Sequence, residues 1–167
     1  KLTINAKYSR TYLARLIQAE DNLKQYYSEV KNKFLSYSGV KSRISKKYET
    51  FYAGRTILAR VNVKVKRINL YMALDTNALI EKAKYFGFID IAVKKPDTPL
   101  FMKINGPIKL KRTLELIEVL MLNKGLTENS SYKAQDFYIP YESTEDLIEK
   151  GLIIDLVKNG GIENLET

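Results

Sequence analysis

Residues 56–74 read TILARVNVKVKRINLYMAL, and this stretch decides the fold. From Thr56 to Lys64 apolar and polar residues alternate, which is the period of a strand with one buried face. The residues that share the apolar face are Ile57, Ala59, Val61 and Val63. Arg67 to Leu74 is predicted as a second strand, and Val65-Lys66 is short enough for a tight hairpin without the Asn-Gly signature. The stretch therefore predicts an antiparallel pair.

The elements on either side follow from the same reading of periodicity, caps and breakers. Before the hairpin we predict a strand from Tyr8 to Gln18, an amphipathic helix from Glu20 to Tyr37 and a short strand from Arg43 to Phe51. After it we predict a short helix from Asn77 to about Tyr85, strands from Ile89 to Val93 and from Leu100 to Ile104, a helix from Lys109 to Lys124, a capped helix from Ser143 to Lys150 and a strand from Leu152 to Val157.

Sequential strands with short links, flanked by helices, favour an antiparallel arrangement over a doubly wound parallel sheet. We therefore expect an α+β fold, a mainly antiparallel sheet with two long helices packed on one face, plus a short C-terminal helix and strand extension. The expected divisions are a core domain over residues 1–126, a linker over 127–136 and an acidic extension over 137–167 that packs on the core.

The 167 residues include no histidine and no cysteine. This absence removes the usual general base near neutral pH, thiolate nucleophiles and the two favoured zinc ligands. Asp75, Asp90 and Asp97 could converge as metal-binding carboxylates, but their spacing does not indicate it. Tyr27 and Lys31 match a reductase spacing, yet Tyr27 lies on the apolar stripe of its helix and a core role is favoured. We predict no catalytic site, no cofactor and no metal.

The net charge is +9, and the cations are concentrated between Lys41 and Arg67. This region carries a single acid, Glu49, and interleaved aromatic residues, a composition that suits phosphate contacts and base stacking. The predicted anion or nucleic-acid contacts are Arg43, Lys46, Lys47, Arg55, Arg60, Lys64, Lys66 and Arg67. The alternative is that these cations only solvate the polar face of a half-buried sheet.

An aromatic and apolar segment leads into a short acidic helix near the C-terminus, a form that binds grooves and sheet edges. The predicted protein contacts in this tail are Tyr138, Ile139, Tyr141, Leu147 and Ile148. The alternative is that the tail packs on its own domain, because its aliphatic residues gain free energy on burial.

Several motifs together are distinctive. They are YSRTYLARLIQ (8–18), YYSE (26–29), LSY (35–37), VKSRIS (40–45), AGR (53–55), INLYMALD (68–75), DTP (97–99) and YIPYESTEDLIEKGL (138–152). With them the chain resembles a family of uncharacterised bacterial domains from low-GC Gram-positive organisms, which often lie inside larger proteins, some with zinc ribbons. The resemblance implies no activity. The order of elements from Val40 to Leu122 is also similar to YjbR/MmcQ-type double-wing domains, which implies nucleic-acid binding rather than catalysis.

These observations lead to a predicted non-catalytic interaction module of a larger bacterial protein, acting through protein contacts or self-association. The alternative is a nucleic-acid-binding domain that uses a basic sheet face, and a third reading is a carboxylate-based hydrolase. Because the first residue is Lys1 rather than Met, we expect a domain excised from a longer chain. No apolar run approaches the length of a membrane span, and the location is left open, with the cytoplasm or its membrane face favoured.

Overall fold

The computed structural model describes residues 7–157. Its strands are β1 (Tyr8–Arg10), β2 (Val40–Ile44), β3 (Glu49–Ala53), β4 (Thr56–Lys64), β5 (Arg67–Met72), β6 (Ile89–Asp90), β7 (Leu100–Ile104) and β8 (Ile153–Asp155). Its α-helices are α1 (Tyr12–Ile17), α2 (Asp21–Leu35), α3 (Ala83–Phe86), α4 (Pro107–Asn123) and α5 (Thr144–Glu149), with a 3-10 helix over Thr76–Lys82 before α3.

Six strands form one sheet in the order β2-β3-β4-β5-β7-β6, and every neighbouring pair is antiparallel. The β4–β5 hairpin lies at the centre of this sheet, with Lys64 paired to Arg67 next to the two-residue turn. A separate two-stranded sheet joins β1 to β8. The α+β class, the mainly antiparallel sheet and the C-terminal helix are thus confirmed.

Helices α2 and α4 contribute the helical half of the main core, against the inward face of the sheet. The ring of Phe34 in α2 stacks on Phe51 in β3, with centroids 4.5 Å apart and planes 10° from parallel. Leu116, Ile117 and Leu120 of α4 are fully buried in the same cluster. Burial of these side chains removes apolar surface from water, and this is the main favourable term that holds helices and sheet together.

The predicted strand from Tyr8 to Gln18 is wrong beyond its first residues. The chain turns at Thr11, whose hydroxyl accepts the backbone N–H of Ala14, and continues as helix α1. Tyr12 and Leu16 of this helix face the main core, whereas Ala14 and Ile17 face a second cluster. A short helix buried on two sides shows apolar residues at alternate positions, and this imitates the period of a strand.

The single strand expected from Arg43 to Phe51 is instead a hairpin of β2 and β3. Its turn at residues 45–48 is closed by Ser45, whose backbone N–H donates to Tyr48 O at 2.8 Å. The predicted apolar face of β4 is wrong at one residue, because the pairing register between β3 and β4 shifts between Phe51 and Tyr52. Leu58 is therefore fully buried in the core in place of Ile57.

The remaining predicted elements differ from the structure mainly in length. Strand β6 covers only Ile89–Asp90, and the segment from Asn77 to Tyr85 is a 3-10 helix followed by α3. Asp75 caps the 3-10 helix, since its carboxylate accepts the N–H of Asn77. Ser143 caps α5 through the N–H of Asp146, as the sequence predicted.

Residues 127–136 lie against α2 and are held there by its Asn32. The amide of Asn32 donates to Gln135 O and accepts from the Tyr132 hydroxyl. Further along, Leu147 of α5 and Ile153 of β8 are buried in a second cluster with Ala14 and Ile17 of α1. The described part of the C-terminal extension therefore packs on α1 and on β1.

Candidate nucleic-acid interface

The sheet has an outer face, opposite the long helices, which carries polar and aromatic side chains. Along β4, Ala59, Val61 and Val63 are buried, so the alternating residues Arg60, Asn62 and Lys64 point outward. The same alternation in β5 and β7 points five more side chains to this face. They are Arg67, Asn69 and Tyr71 in β5, and Phe101 and Lys103 in β7.

Strand pairing sets these residues in rows across the sheet. Arg60 is opposite Tyr71, which is opposite Phe101. Asn62, Asn69 and Lys103 form the next row, and Lys64 pairs with Arg67 in the third. None of the residues in these rows is acidic, so positive charge on the outer face is not neutralised within the rows.

Three rings, which we call the aromatic row, run across this face: Tyr48, Tyr71 and Phe101. Tyr71 and Phe101 stack with centroids 4.8 Å apart and planes 19° from parallel. Tyr48 lies just before β3 and meets Tyr71 edge to face, with centroids 5.9 Å apart. All three rings are half-buried, so each keeps part of its surface open to solvent.

Two lysines accompany the aromatic row. Lys95, on the connection between β6 and β7, places its Nζ 5.4 Å from the Tyr48 ring centre and 5.3 Å from that of Tyr71. Its Nζ also donates to the Tyr48 hydroxyl at 3.2 Å. Lys103 lies 5.9 Å from the Phe101 ring centre. Cations at these distances are attracted by the electron-rich faces of the rings, which holds positive charge beside the aromatic row.

A cavity of about 300 Å³, the cationic cleft, opens at the end of the sheet where the β2–β3 turn and the end of β4 meet β1 and α1. Its charged lining residues are Arg10, Arg15, Lys46, Lys47 and Lys64, and none of its lining residues is acidic. Tyr48 and Asn62 also line this cleft, which makes it continuous with the outer face.

The structure distributes the eight predicted anion contacts over several places. Arg60, Lys64 and Arg67 belong to the outer face, and Lys46 and Lys47 belong to the cationic cleft. Arg43, on the edge strand β2, also belongs to the outer face, because it pairs with Thr50, which pairs with Arg60; its guanidinium lies 4.9 Å from the Tyr52 ring centre. Lys66 is in the β4–β5 turn, and Arg55 is in the β3–β4 turn at the opposite end of the sheet.

The predicted protein contacts in the tail are divided between core and surface. Leu147 is fully buried, and Ile139 and Ile148 are partly buried against the hydrophobic clusters. Tyr138 and Tyr141 are exposed, at 46% and 63% of their surface. Most of the apolar surface of this tail is therefore already used within the chain.

The structure also gives the positions of the three aspartates and of Tyr27, which the sequence analysis considered as candidates for metal binding or catalysis. Asp75, Asp90 and Asp97 line one open cavity of about 410 Å³. Within residues 7–157, however, no three carboxylates lie close enough together to hold a metal ion. Tyr27 is buried in the core, as its position on the helical stripe predicted.

Tyr27 and Lys31 do approach each other, since the ammonium of Lys31 donates to the Tyr27 hydroxyl at 3.2 Å. Both side chains meet the buried carboxylate of Glu49. Oε1 of Glu49 accepts hydrogen bonds from Tyr27 at 2.6 Å and from Tyr12 at 3.0 Å. Burial, and then the negative charge of Glu49, raise the pKa of Tyr27 well above its usual value. The Glu49 carboxylate, which accepts from Tyr12 of α1 and from Tyr27 of α2, thus joins these two helices to β3.

Sequence reasoning missed several residues of this surface. Alternation along the predicted strands could have identified Tyr71, Phe101 and Lys103, because each occupies an outward position in a predicted strand. Tyr48 was noted among the aromatic residues interleaved with the cations but not as a contact, and Lys95, on the connection between β6 and β7, carried no such signal. Arg10 and Arg15 were both assigned to one long strand, whereas Arg10 ends β1 and Arg15 lies on α1.

Comparisons with known proteins found no matching family model, no matching curated protein and no matching solved structure. The resemblance described from the motifs therefore stays a prediction. In the described part of the chain, no helix has the length and apolar character needed to cross a membrane.

Proposed function

We propose that this chain binds single-stranded nucleic acid on the outer face of its six-stranded sheet. The observation that carries the proposal is the aromatic row, Tyr48, Tyr71 and Phe101, set among cations on a face whose paired rows contain no acid. Bases stack on aromatic rings whatever their sequence, and Lys and Arg neutralise the phosphates between them.

The spacing of the rows supports this use of the face. Neighbouring strands lie about 4.8 Å apart, so the outward residues of β4, β5 and β7 cover a strip about 10 Å wide along which one strand of nucleic acid can lie. Arg60 lies beside Tyr71 in the row of the stacked pair, and Lys103 lies in the next row, two residues from Phe101 along β7. A base that contacts the rings therefore has two cations close enough to reach its neighbouring phosphates.

A single strand fits this surface better than a duplex. The bases of a duplex are stacked on one another, so aromatic side chains cannot reach their faces without opening the helix. No helix-in-groove arrangement is needed, because the contacts come from strands and the connections beside them. We therefore expect weak sequence preference and a strong dependence on salt.

Protein contacts through the tail, the other predicted function, have less support from the geometry. Leu147 is fully buried against α1, which leaves only Tyr138 and Tyr141 well exposed among the predicted tail contacts. Self-association of the chain is an outcome that the binding experiment described next can detect.

The test is the fluorescence anisotropy of a labelled pyrimidine oligonucleotide of about 12 nucleotides, as DNA and as RNA, with the matching duplex as competitor. We expect binding of the single strand at low salt and a linear loss of log affinity between about 50 and 200 mM KCl. Tyr71→Ala and Phe101→Ala are each expected to weaken binding, because stacking contributes about 1–3 kcal/mol per base.

The matched control is Tyr141→Ala, which removes an exposed ring from the tail and is expected to leave affinity unchanged. Wild-type protein that binds no single strand at low salt would overturn the proposal. Equal affinity of the Tyr71, Phe101 and Tyr141 variants would do the same. Concentration-dependent self-association in sedimentation, without nucleic-acid binding, would favour the protein-contact function.

A further inference from the structure

We infer that the cationic cleft is a phosphate-binding site, and that it takes a phosphate of the same single strand that the outer face binds. The inference rests on the proposed function for the identity of the ligand. It adds a second binding element, built from β1, α1, the β2–β3 turn and the end of β4, that the basic sheet face alone does not include.

The charge of the cleft is the first observation. Five cationic side chains, Arg10, Arg15, Lys46, Lys47 and Lys64, surround a space of about 300 Å³. Within residues 7–157, Arg15, Lys46, Lys47 and Lys64 form no salt bridge with any carboxylate. Like charges gathered around one space repel one another, so an anion that enters the cleft relieves this repulsion.

The second observation is a buried acceptor in the same lining. Oδ1 of Asn62 is closed off from solvent and has no hydrogen-bond partner within the described residues. A buried polar atom without a partner is costly, and a rotation of the Asn62 amide that turns Oδ1 into the cleft would let a donor on a ligand satisfy it. A nucleotide combines a phosphate with hydroxyl and N–H donors on its sugar and base, whereas an inorganic anion offers few or no such donors.

Continuity with the outer face is the third observation. Asn62 belongs to the row of Asn69 and Lys103, and Tyr48 belongs to the aromatic row, yet both side chains line the cleft. A strand that stacks on Tyr71 and Phe101 therefore passes Tyr48 as it reaches the cleft. One phosphate beyond the stacked bases would then lie among Arg15, Lys46 and Lys47.

Arg10 is prepared for this role by its neighbours. Its Nε donates to Oε1 of Gln18 at 3.0 Å, and its guanidinium lies 5.6 Å from the ring centre of Tyr8. These contacts fix the plane of the guanidinium while leaving its terminal N–H groups for a phosphate oxygen. Arg15, on α1, is exposed, and its side chain makes no hydrogen bond within residues 7–157.

The experiment compares two double variants of equal charge in the salt titration described above. Arg15→Gln with Lys47→Gln removes two cleft cations, and Arg55→Gln with Lys133→Gln removes two exposed cations elsewhere. For a single strand, each phosphate contact contributes about 0.7 to the slope of log affinity against log salt. We expect the cleft variant to lose about that much slope and to bind several-fold more weakly, whereas the control variant keeps the wild-type slope.

A second experiment adds inorganic phosphate or a nucleoside 5′-monophosphate to the protein. The chemical shift of the Asn62 side-chain amide in ¹⁵N spectra reports binding of each probe. We expect the nucleotide to shift this signal more than phosphate does in the wild type, and neither probe to shift it in the cleft variant. Cleft and control variants with equal slopes, together with weakened Phe101→Ala, would overturn the cleft and leave the proposed function standing. If every outer-face variant binds the single strand as tightly as the wild type, while the nucleotide still shifts the Asn62 signal, the proposed function is overturned instead.

Discussion

The ammonium nitrogen of Lys31 lies 2.8 Å from Oε2 of Glu49, a carboxylate that has no exposure to solvent. The other oxygen of the same group accepts the hydroxyls of Tyr12 and Tyr27. One carboxylate at the start of β3 therefore joins α1, α2 and the sheet. The charge is compensated because every contact to it is a donor, which is the condition for burying a carboxylate.

Glu49→Ala is expected to lower the free energy of unfolding by about 3–5 kcal/mol, because it leaves Lys31 and two buried hydroxyls without their acceptor. Urea unfolding measures this loss. The matched control is Glu118→Gln, which breaks the more exposed contact between Lys33 and Glu118 and is expected to cost less than about 1 kcal/mol. Equal losses in the two variants would contradict the structural role given to Glu49.

The same cluster predicts a loss of stability in alkali. Burial raises the pKa of Tyr12 and of Tyr27 in the folded protein, and the charge of Glu49 adds to both shifts. Above about pH 10 the unfolded chain loses these protons while the folded chain keeps them, so the free energy of unfolding falls by about 1.4 kcal/mol per pH unit for each group. Below that pH the contribution is fully present.

Unfolding measured from about pH 9 to 11 tests this prediction. Tyr27→Phe removes one of the two groups and is expected to make the alkaline slope shallower, while the same change at Tyr26 is expected to leave it as in the wild type. An unchanged slope in Tyr27→Phe would contradict the assignment.

Lys24 is buried to 1% exposure, and its Nζ has no hydrogen-bond partner within the described residues. Its Nζ lies 5.2 Å from the centre of the Tyr138 ring, and burial lowers the pKa of this lysine although the negative charge of Asp21 acts in the opposite direction. Lys24→Met keeps the length of the side chain and removes the charge. We expect the free energy of unfolding to stay level or rise by about 1 kcal/mol, because a poorly compensated buried charge is costly.

Thermal unfolding of Lys24→Met, with Lys24→Ala beside it, measures this effect. The alanine variant is expected to be less stable than the methionine variant, since it leaves a cavity under Tyr138. A methionine variant that loses more than about 2 kcal/mol would show that the ammonium group itself is required for stability.

The aromatic row predicts a difference between flat and branched apolar side chains. Phe101→Leu keeps an apolar residue at an outward position of β7 but removes the ring that stacks on Tyr71. We expect single-strand affinity to fall by at least about 5-fold, the lower end of what stacking contributes, whereas Phe101→Tyr keeps the wild-type affinity. Anisotropy at fixed salt measures both variants, and equal affinities for Leu and Tyr would contradict a stacking role.

Much of the fold could be predicted because local periodicity decides it. The β4–β5 hairpin and helices α2 and α4 each show one clear apolar face, and the structure places them close to the predicted bounds. Helix α1 could not be predicted in this way, since it is buried on two sides. The β2–β3 turn was missed because Ser45 to Tyr48 contains no glycine, proline or asparagine to mark it.

Part of the candidate site was also predictable. Arg60, Asn62 and Lys64 were expected to share the outward face of one strand, and they do. Arg55 was grouped with them by its place in the sequence, yet it lies at the far end of the sheet. Nearness along a chain that turns back on itself does not imply nearness in space.

The sequence by itself determined the α+β class, the central hairpin and the basic character of the surface, because these depend on composition and on patterns a few residues long. Only the tertiary structure decided that Tyr71 stacks on Phe101, and that Arg10 and Arg15 join Lys46 and Lys47 around one cleft. These groupings depend on which strands pair and on where α1 packs. Both are fixed by non-local burial, which has no signature in a short stretch of sequence.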